Sequence, residues 1–260
     1  MRIPAIAALL LGLSTLAAAQ TAAHSTELAT APQGAYWSYT GRTGPLFWGR
    51  LDPAYRACSE GREQSPVDIR NAHLNPALQP IQFHYIGGPV TVENTGHTIE
   101  VKVDPGSYIV ANGVRYNLVQ FHFHHPSEHA VKGRLTDMVI HLVHRGADGR
   151  LAVVAVLLNV DTGYPNATLS TIWEHLPQKP GESERIDDMV DPGGLLPEDR
   201  GYWTYMGSLT TPPCTEGVRW FVFQQPLTIS REQLSAFTAL YKMNTRPLQD
   251  LRGRKIEADE

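Results

Sequence analysis

Residues 91–160 constrain this 260-residue chain most, because β-branched or alternating runs follow one another there with turn-forming residues between them. The runs are 91–93, 100–103, 108–111, 117–124, 138–144 and 151–160; the separators are Asn94-Thr95-Gly96, Asp104-Pro105-Gly106, Asn112-Gly113 and Gly146-Ala147-Asp148-Gly149. Period-two patterning with short connections predicts an antiparallel sheet. Helical patterns are few. Residues 166–174 form one, and 230–241 form a better one, with Ser230 as N-cap and Gln233 at the capping-box position. The expected fold is mainly β, an antiparallel sheet with short connections and peripheral helices. From Tyr36 onward no linker, repeat or low-complexity stretch divides the chain.

The first 19 residues read as a secretory signal: Arg2, an apolar stretch, then Ala17-Ala18-Ala19 before the expected cleavage point. A membrane anchor is the competing reading. Residues 3–19 barely reach the lower limit for a span, and Gly12, Ser14 and Thr15 weaken them further. Residues 20–35 are small and polar and read as a flexible leader, which leaves 36–256 as the domain. No later run is apolar for long enough to cross a bilayer. The expected location is therefore the periplasm or the medium. Two cysteines, Cys58 and Cys214, are then expected to pair in an oxidising compartment. Closing a loop that long has an upper value of about 5 kcal/mol on the entropy model. The net charge is −4, with no basic stripe, so nucleic acid is excluded as a partner.

Histidine is the compositional outlier: the chain has 11, five of them between His122 and His141. In Gln120-Phe121-His122-Phe123-His124 a strand puts His122 and His124 on one face and both Phe rings on the other. His141 lies in the middle of the next run, where antiparallel pairing can set it opposite. Three neutral imidazoles on two strands leave a fourth tetrahedral position open on a zinc ion, the arrangement of a catalytic site. Such an ion keeps its full charge and brings bound water to a pKa of about 7. A lone His-x-His is weak evidence, since many are surface polar residues. His144 is expected on the opposite face, ending its strand in a structural role, and His125, before Pro126, in a loop.

Several strings together resemble the α-class carbonic anhydrases, most of all the exported bacterial branch. They are Trp37-Ser38-Tyr39, Trp48-Gly49, Gln64-Ser65-Pro66-Val67-Asp68-Ile69, the 120–124 string, Ser127-Glu128-His129, His141-Leu142-Val143-His144, the segment 202–213 with Thr210-Thr211-Pro212-Pro213, and Asn244-Thr245-Arg246-Pro247. The resemblance implies a single mainly β domain with a large twisted, mostly antiparallel central sheet of about ten strands and short peripheral helices, with zinc at the bottom of a conical cleft. It implies reversible hydration of carbon dioxide to bicarbonate and a proton by a zinc-bound hydroxide, with anionic or sulfonamide inhibitors at the metal. The implied ligands are His122, His124 and His141. Thr210 is implied to accept a hydrogen bond from the hydroxide and to donate its own to Glu128, while its N–H and Thr211 line the polar side. Val143, Val153, Leu209, Val218 and Trp220 are the implied apolar wall for carbon dioxide. His97 is the implied proton shuttle, with an ordinary pKa near 6.5, and Tyr39 the anchor for intervening waters. Gln120 is implied to orient a ligand, and His129 to sit in the network behind Glu128. Exported members of the branch sometimes form homodimers.

The sequence departs from the family pattern where an acidic residue two before the third histidine would orient its ring; here that residue is Val139. Faster zinc loss, by roughly 10–100-fold in affinity, with catalysis surviving, is the expected consequence. Thr95 is a second departure, beside the shuttle path. Two readings compete with the zinc lyase: a catalytically silent zinc-binding member of the same fold, and a zinc hydrolase acting on small esters as a side activity. Silent members typically lack a ligand histidine, and this chain has all three.

Overall fold

A computed structural model describes residues 1, 35–161 and 164–259. The chain divides into two units, Met1–Gln33 and Gly34–Glu260. The signal segment and nearly all of the leader lie outside the described residues.

The second unit is built on a 13-stranded sheet. Ten strands make one continuous path, in the order Ser183–Val190, Gly88–Asn94, Ile99–Val103, Val114–His124, Met138–Gly146, Leu151–Val160, Glu216–Phe223, Tyr202–Ser208, Glu257–Ala258 and His73–Leu74. Most neighbours are antiparallel, as expected. The sheet is nonetheless mixed, because Leu151–Val160 runs parallel to both Glu216–Phe223 and Leu227–Ile229. The helix Ala167–Trp173 begins at Asn166, whose side chain accepts from the Leu169 N–H. The last helix, Arg231–Leu240, has the full capping box between Ser230 and Gln233. Among the described residues no helix is long and apolar enough to cross a membrane.

Alternation along the strands divides the interior in two. Phe121, Phe123, Ile140, Leu142, Val154 and Val156 bury themselves in the larger core. Their neighbours Val139, Val153, Ala155 and Trp220 face a second apolar cluster on the other side of the sheet. One irregularity decides which face the histidines take. Pairing between Val114–His124 and Met138–Gly146 shifts register between Leu118 and Gln120. Tyr116 and Leu118 therefore share the larger core with Phe121 and Phe123. A strict period of two would have put them on opposite faces. The bulge's extra residue turns Gln120, His122 and His124 away from that core.

Cys58 and Cys214 form the expected disulfide. It joins a short N-terminal helix, Ala57–Glu60, to the segment that follows Thr210 and Thr211.

Candidate metal centre

His122 and His141 are direct register partners across the two central strands. His124 lies two residues along from His122, and one ligand atom from each of the three lies within 4.8 Å of the others. Hydrogen bonds set the rings. Nδ1–H of His122 donates to Gln120 Oε1 at 2.8 Å, and Nδ1–H of His124 donates to the Asn244 carbonyl at 2.7 Å. A carbonyl only accepts, so both rings carry their proton on Nδ1 and keep a lone pair on Nε2. His124 Nε2 is 3.6 Å from Glu128 Oε2, and His141 Nδ1 is 3.8 Å from the same oxygen. The His141 ring thus turns its Nδ1 toward the cluster.

Burial drives the pKa values of His122 and His141 well below 6.5, and the neighbouring imidazoles push in the same direction. These are neutral donors. The residues fit a single divalent ion: three uncharged nitrogens converge, and the buried His124 Nε2 has no hydrogen-bond partner among the described residues. Three nitrogen ligands with no fourth side chain in the group among the described residues match a catalytic zinc site better than a structural one.

Glu128 is buried beside the cluster. Its Oε1 accepts from the Arg246 N–H at 2.9 Å. The hydrogen bond from Thr210 that the resemblance implies is not formed: Oε2 accepts none and faces the His124 and His141 rings instead. His129 Nε2 pairs with the Tyr205 hydroxyl at 2.7 Å and Tyr205 with Ser65, whose carbonyl accepts from the Arg246 guanidinium at 2.8 Å; the Arg246 N–H supports Glu128 directly. The structure buries Thr210 and half-buries Thr211.

The expected apolar residues come together. Val143, Val153 and Trp220 are register partners across three strands, one same-face step from His141. Val218 and Leu209 pack into the same cluster. The Trp220 ring lies 4.9 Å from that of His141, edge-on, with its N–H tied to the Ser208 carbonyl at 3.0 Å.

His97 sits in the turn between Gly88–Asn94 and Ile99–Val103, stacked on Trp37 and 6.5 Å from the Tyr39 ring. Burial lowers its pKa from 6.5, contrary to the ordinary value expected. Burial, reinforced by Glu128, holds the Tyr39 hydroxyl well above 10. His125 is in the loop, its Nδ1 on the Asp137 carbonyl. His144 points into the larger core with Nε2 on the Tyr85 hydroxyl, as expected, although its strand runs two residues further. Sequence reasoning missed Asn244 and Arg246 as supports of the cluster. Their motif was visible, but backbone groups carry these contacts, and backbone groups leave no residue-type signal.

The family model for eukaryotic-type carbonic anhydrase matches residues 43–260. The chain belongs to the α-carbonic anhydrase family. A carbonic anhydrase of Klebsiella pneumoniae is 42% identical over 224 residues, covering 85% of this chain and 90% of that one. One from Neisseria gonorrhoeae is 41% identical over 223 residues, covering 85% and 87%. The α-carbonic anhydrase of Thermovibrio ammonificans, solved with the inhibitor sulfanilamide, superposes with a TM-score of 0.83 at 43% identity, covering 86% of this chain and all of that one. Within the family's known fold, the three-histidine cluster on the central strands is the candidate metal centre.

Proposed function

We propose that the chain is a zinc enzyme that hydrates carbon dioxide reversibly to bicarbonate and a proton, with His122, His124 and His141 holding the ion. The carrying observation is the convergence of three neutral imidazoles beside an apolar wall, on strands whose register holds both. Zinc held by three uncharged nitrogens acidifies water, which makes a hydroxide nucleophile available near neutral pH.

The remaining work falls to the chain's own side chains. Carbon dioxide has no charge to grip, so Val143, Val153, Leu209, Val218 and Trp220 place it by apolar contact next to the ion; that proximity shortens the path to attack. Glu128 Oε2, which has no hydrogen-bond partner among the described residues, would be the acceptor for the Thr210 hydroxyl. A carboxylate can only accept there, so the Thr210 oxygen would remain free to accept a hydrogen bond from the attacking oxygen and so orient it. The Thr210 N–H and Thr211 hold the oxygens of bicarbonate, or of an anionic or sulfonamide inhibitor. His97 carries the released proton to buffer, with Tyr39 anchoring waters between. Gln120 keeps the lone pair of His122 on the metal side.

The disulfide and the leader sequence support export: a signal peptide at 1–19, a leader at 20–35, a domain at 36–256, and function in the periplasm or outside the cell.

Stopped-flow hydration of carbon dioxide tests the reading. The zinc-loaded chain is expected to be active, the chelated chain and His141→Ala inactive. A metal-loaded chain that hydrolyses activated esters but forms no bicarbonate would reject it, as would hydration that survives His141→Ala.

A further inference from the structure

Asn244 is fully buried and uses every polar group it has. Its carbonyl accepts from His124 Nδ1–H at 2.7 Å, and its own N–H donates to the His125 carbonyl at 3.1 Å. Its side-chain Oδ1 accepts from the His125 N–H at 2.8 Å. Both amide protons are committed as well, one to the carbonyl of Phe123 and one to that of His97, each at 3.0 Å. Two carbonyls and one N–H around the side chain require an amide in one orientation; neither a carboxylate nor a hydrophobic side chain satisfies all three. A second tie closes the same junction, since Thr98 Oγ1 donates to the Phe123 carbonyl at 2.6 Å. Within the turn that carries His97, Thr95 Oγ1 accepts from the N–H groups of His97 and Thr98, and from outside it Trp37 stacks on the His97 ring and the Tyr241 hydroxyl donates to the Thr98 carbonyl at 3.3 Å.

We propose that Asn244 is a positioning residue that couples the metal centre to the proton path: one buried amide fixes the carbonyl that orients His124 and the backbone that carries His97. The inference rests on the roles read above for those two histidines. Physically, the amide locks three separate chain segments into one unit, so neither the His124 ring nor the His97 turn can shift alone. Orphaning buried groups is costly, and the unit has no slack to absorb the loss.

Asn244→Asp keeps the size and the acceptor but turns the amide's donor end, which meets two carbonyls, into an acceptor. Two readouts are expected to move together. Zinc release into a chelator accelerates by about tenfold or more, the usual scale for losing a group that orients a ligand. In dilute buffer kcat falls, and added imidazole restores it, while kcat/KM changes less, because only kcat includes export of the proton by His97. Gln233→Ala is the control. The Gln233 side chain caps the last helix and bonds Ser230, Asn166 and Ser170, none of them in the cluster or the His97 turn, so its loss lowers the melting temperature without faster zinc release or imidazole rescue. If Asn244→Asp does not accumulate folded, Asn244→Ser, which keeps one small donor, takes its place with the same expectations. Zinc release and imidazole response matching those of Gln233→Ala would overturn the proposal and leave Asn244 as scaffold. If the parent chain itself fails to hydrate carbon dioxide, the functional reading falls, and zinc release alone decides whether Asn244 orients the centre.

Discussion

The Trp37 and His97 rings lie face to face, their centroids 3.7 Å apart and their planes 8° from parallel. Stacking removes water from one side of the imidazole, and burial lowers its pKa from 6.5. A neutral ring is favoured, so below pH 6.5 protonating His97 works against this packing. Trp37→Ala is expected to return the pKa toward 6.5. An NMR titration of the ring C–H signals checks this, and an unchanged or lower midpoint would show that the stack is not the cause.

His144 makes a larger contribution to acid sensitivity. It is fully buried against Tyr85, and burial takes its pKa to about 3. With the folded value below the unfolded one, the ring's contribution to stability is complete above pH 6.5 and is lost as the pH falls from there toward 3. The loss is on the order of 3–5 kcal/mol across that window. His144→Gln keeps an acceptor for Tyr85 but does not titrate. Denaturant midpoints measured from pH 7 to pH 4 are expected to fall less steeply for the variant than for the parent; equal slopes would assign the acid sensitivity elsewhere.

The Cys58–Cys214 disulfide closes a separation of 156 residues just beyond Thr210 and Thr211. Cys214 N–H also donates to the Thr211 carbonyl at 2.8 Å, and Gln64 donates to the Cys214 carbonyl at 3.1 Å. Replacing both cysteines by serine is expected to cost about 2–5 kcal/mol in chemical denaturation. Hydration is expected to fall with it, because the segment proposed to hold bicarbonate loses its anchor. Full activity in the folded double variant would separate the disulfide from the site.

Much of this arrangement is legible in the sequence because it rests on side-chain type and period. The strand runs from 91 to 160, the capping box at Ser230 and Gln233, the shared face of His122 and His124 and the pairing of Cys58 with Cys214 all follow from local pattern or from compartment chemistry. The bulge between Leu118 and Gln120 is not legible, since no glycine or proline marks it; it is set by the match of one strand to the next. The strands at 183–190, 202–208 and 216–223 are also missed, because their alternation is broken by charge or interrupted by glycine. The partner of Tyr205 turns out to be His129, and the partner of Glu128 a backbone N–H, which only the tertiary fold can supply.

Val139 supplies the sharpest test of how the centre holds its metal. It is buried two residues before His141, and no carboxylate occupies that position. The consequence is visible in two atoms: His141 Nε2 and His129 Nδ1 are both buried without a hydrogen-bond partner among the described residues, and their rings are 6.3 Å apart. An imidazole whose rear nitrogen has no acceptor is a weaker and less firmly oriented donor at its front nitrogen. Val139→Asp puts an acceptor behind the ring at nearly constant volume. The expected outcome is zinc retention about 10–100-fold greater, read by competition with a chelator. Stability without metal is expected to fall, because a buried carboxylate facing neutral rings is only partly compensated. A variant that loses zinc as fast as the parent, while still folded, would show that His141 is oriented by packing against Trp220 and needs no acceptor.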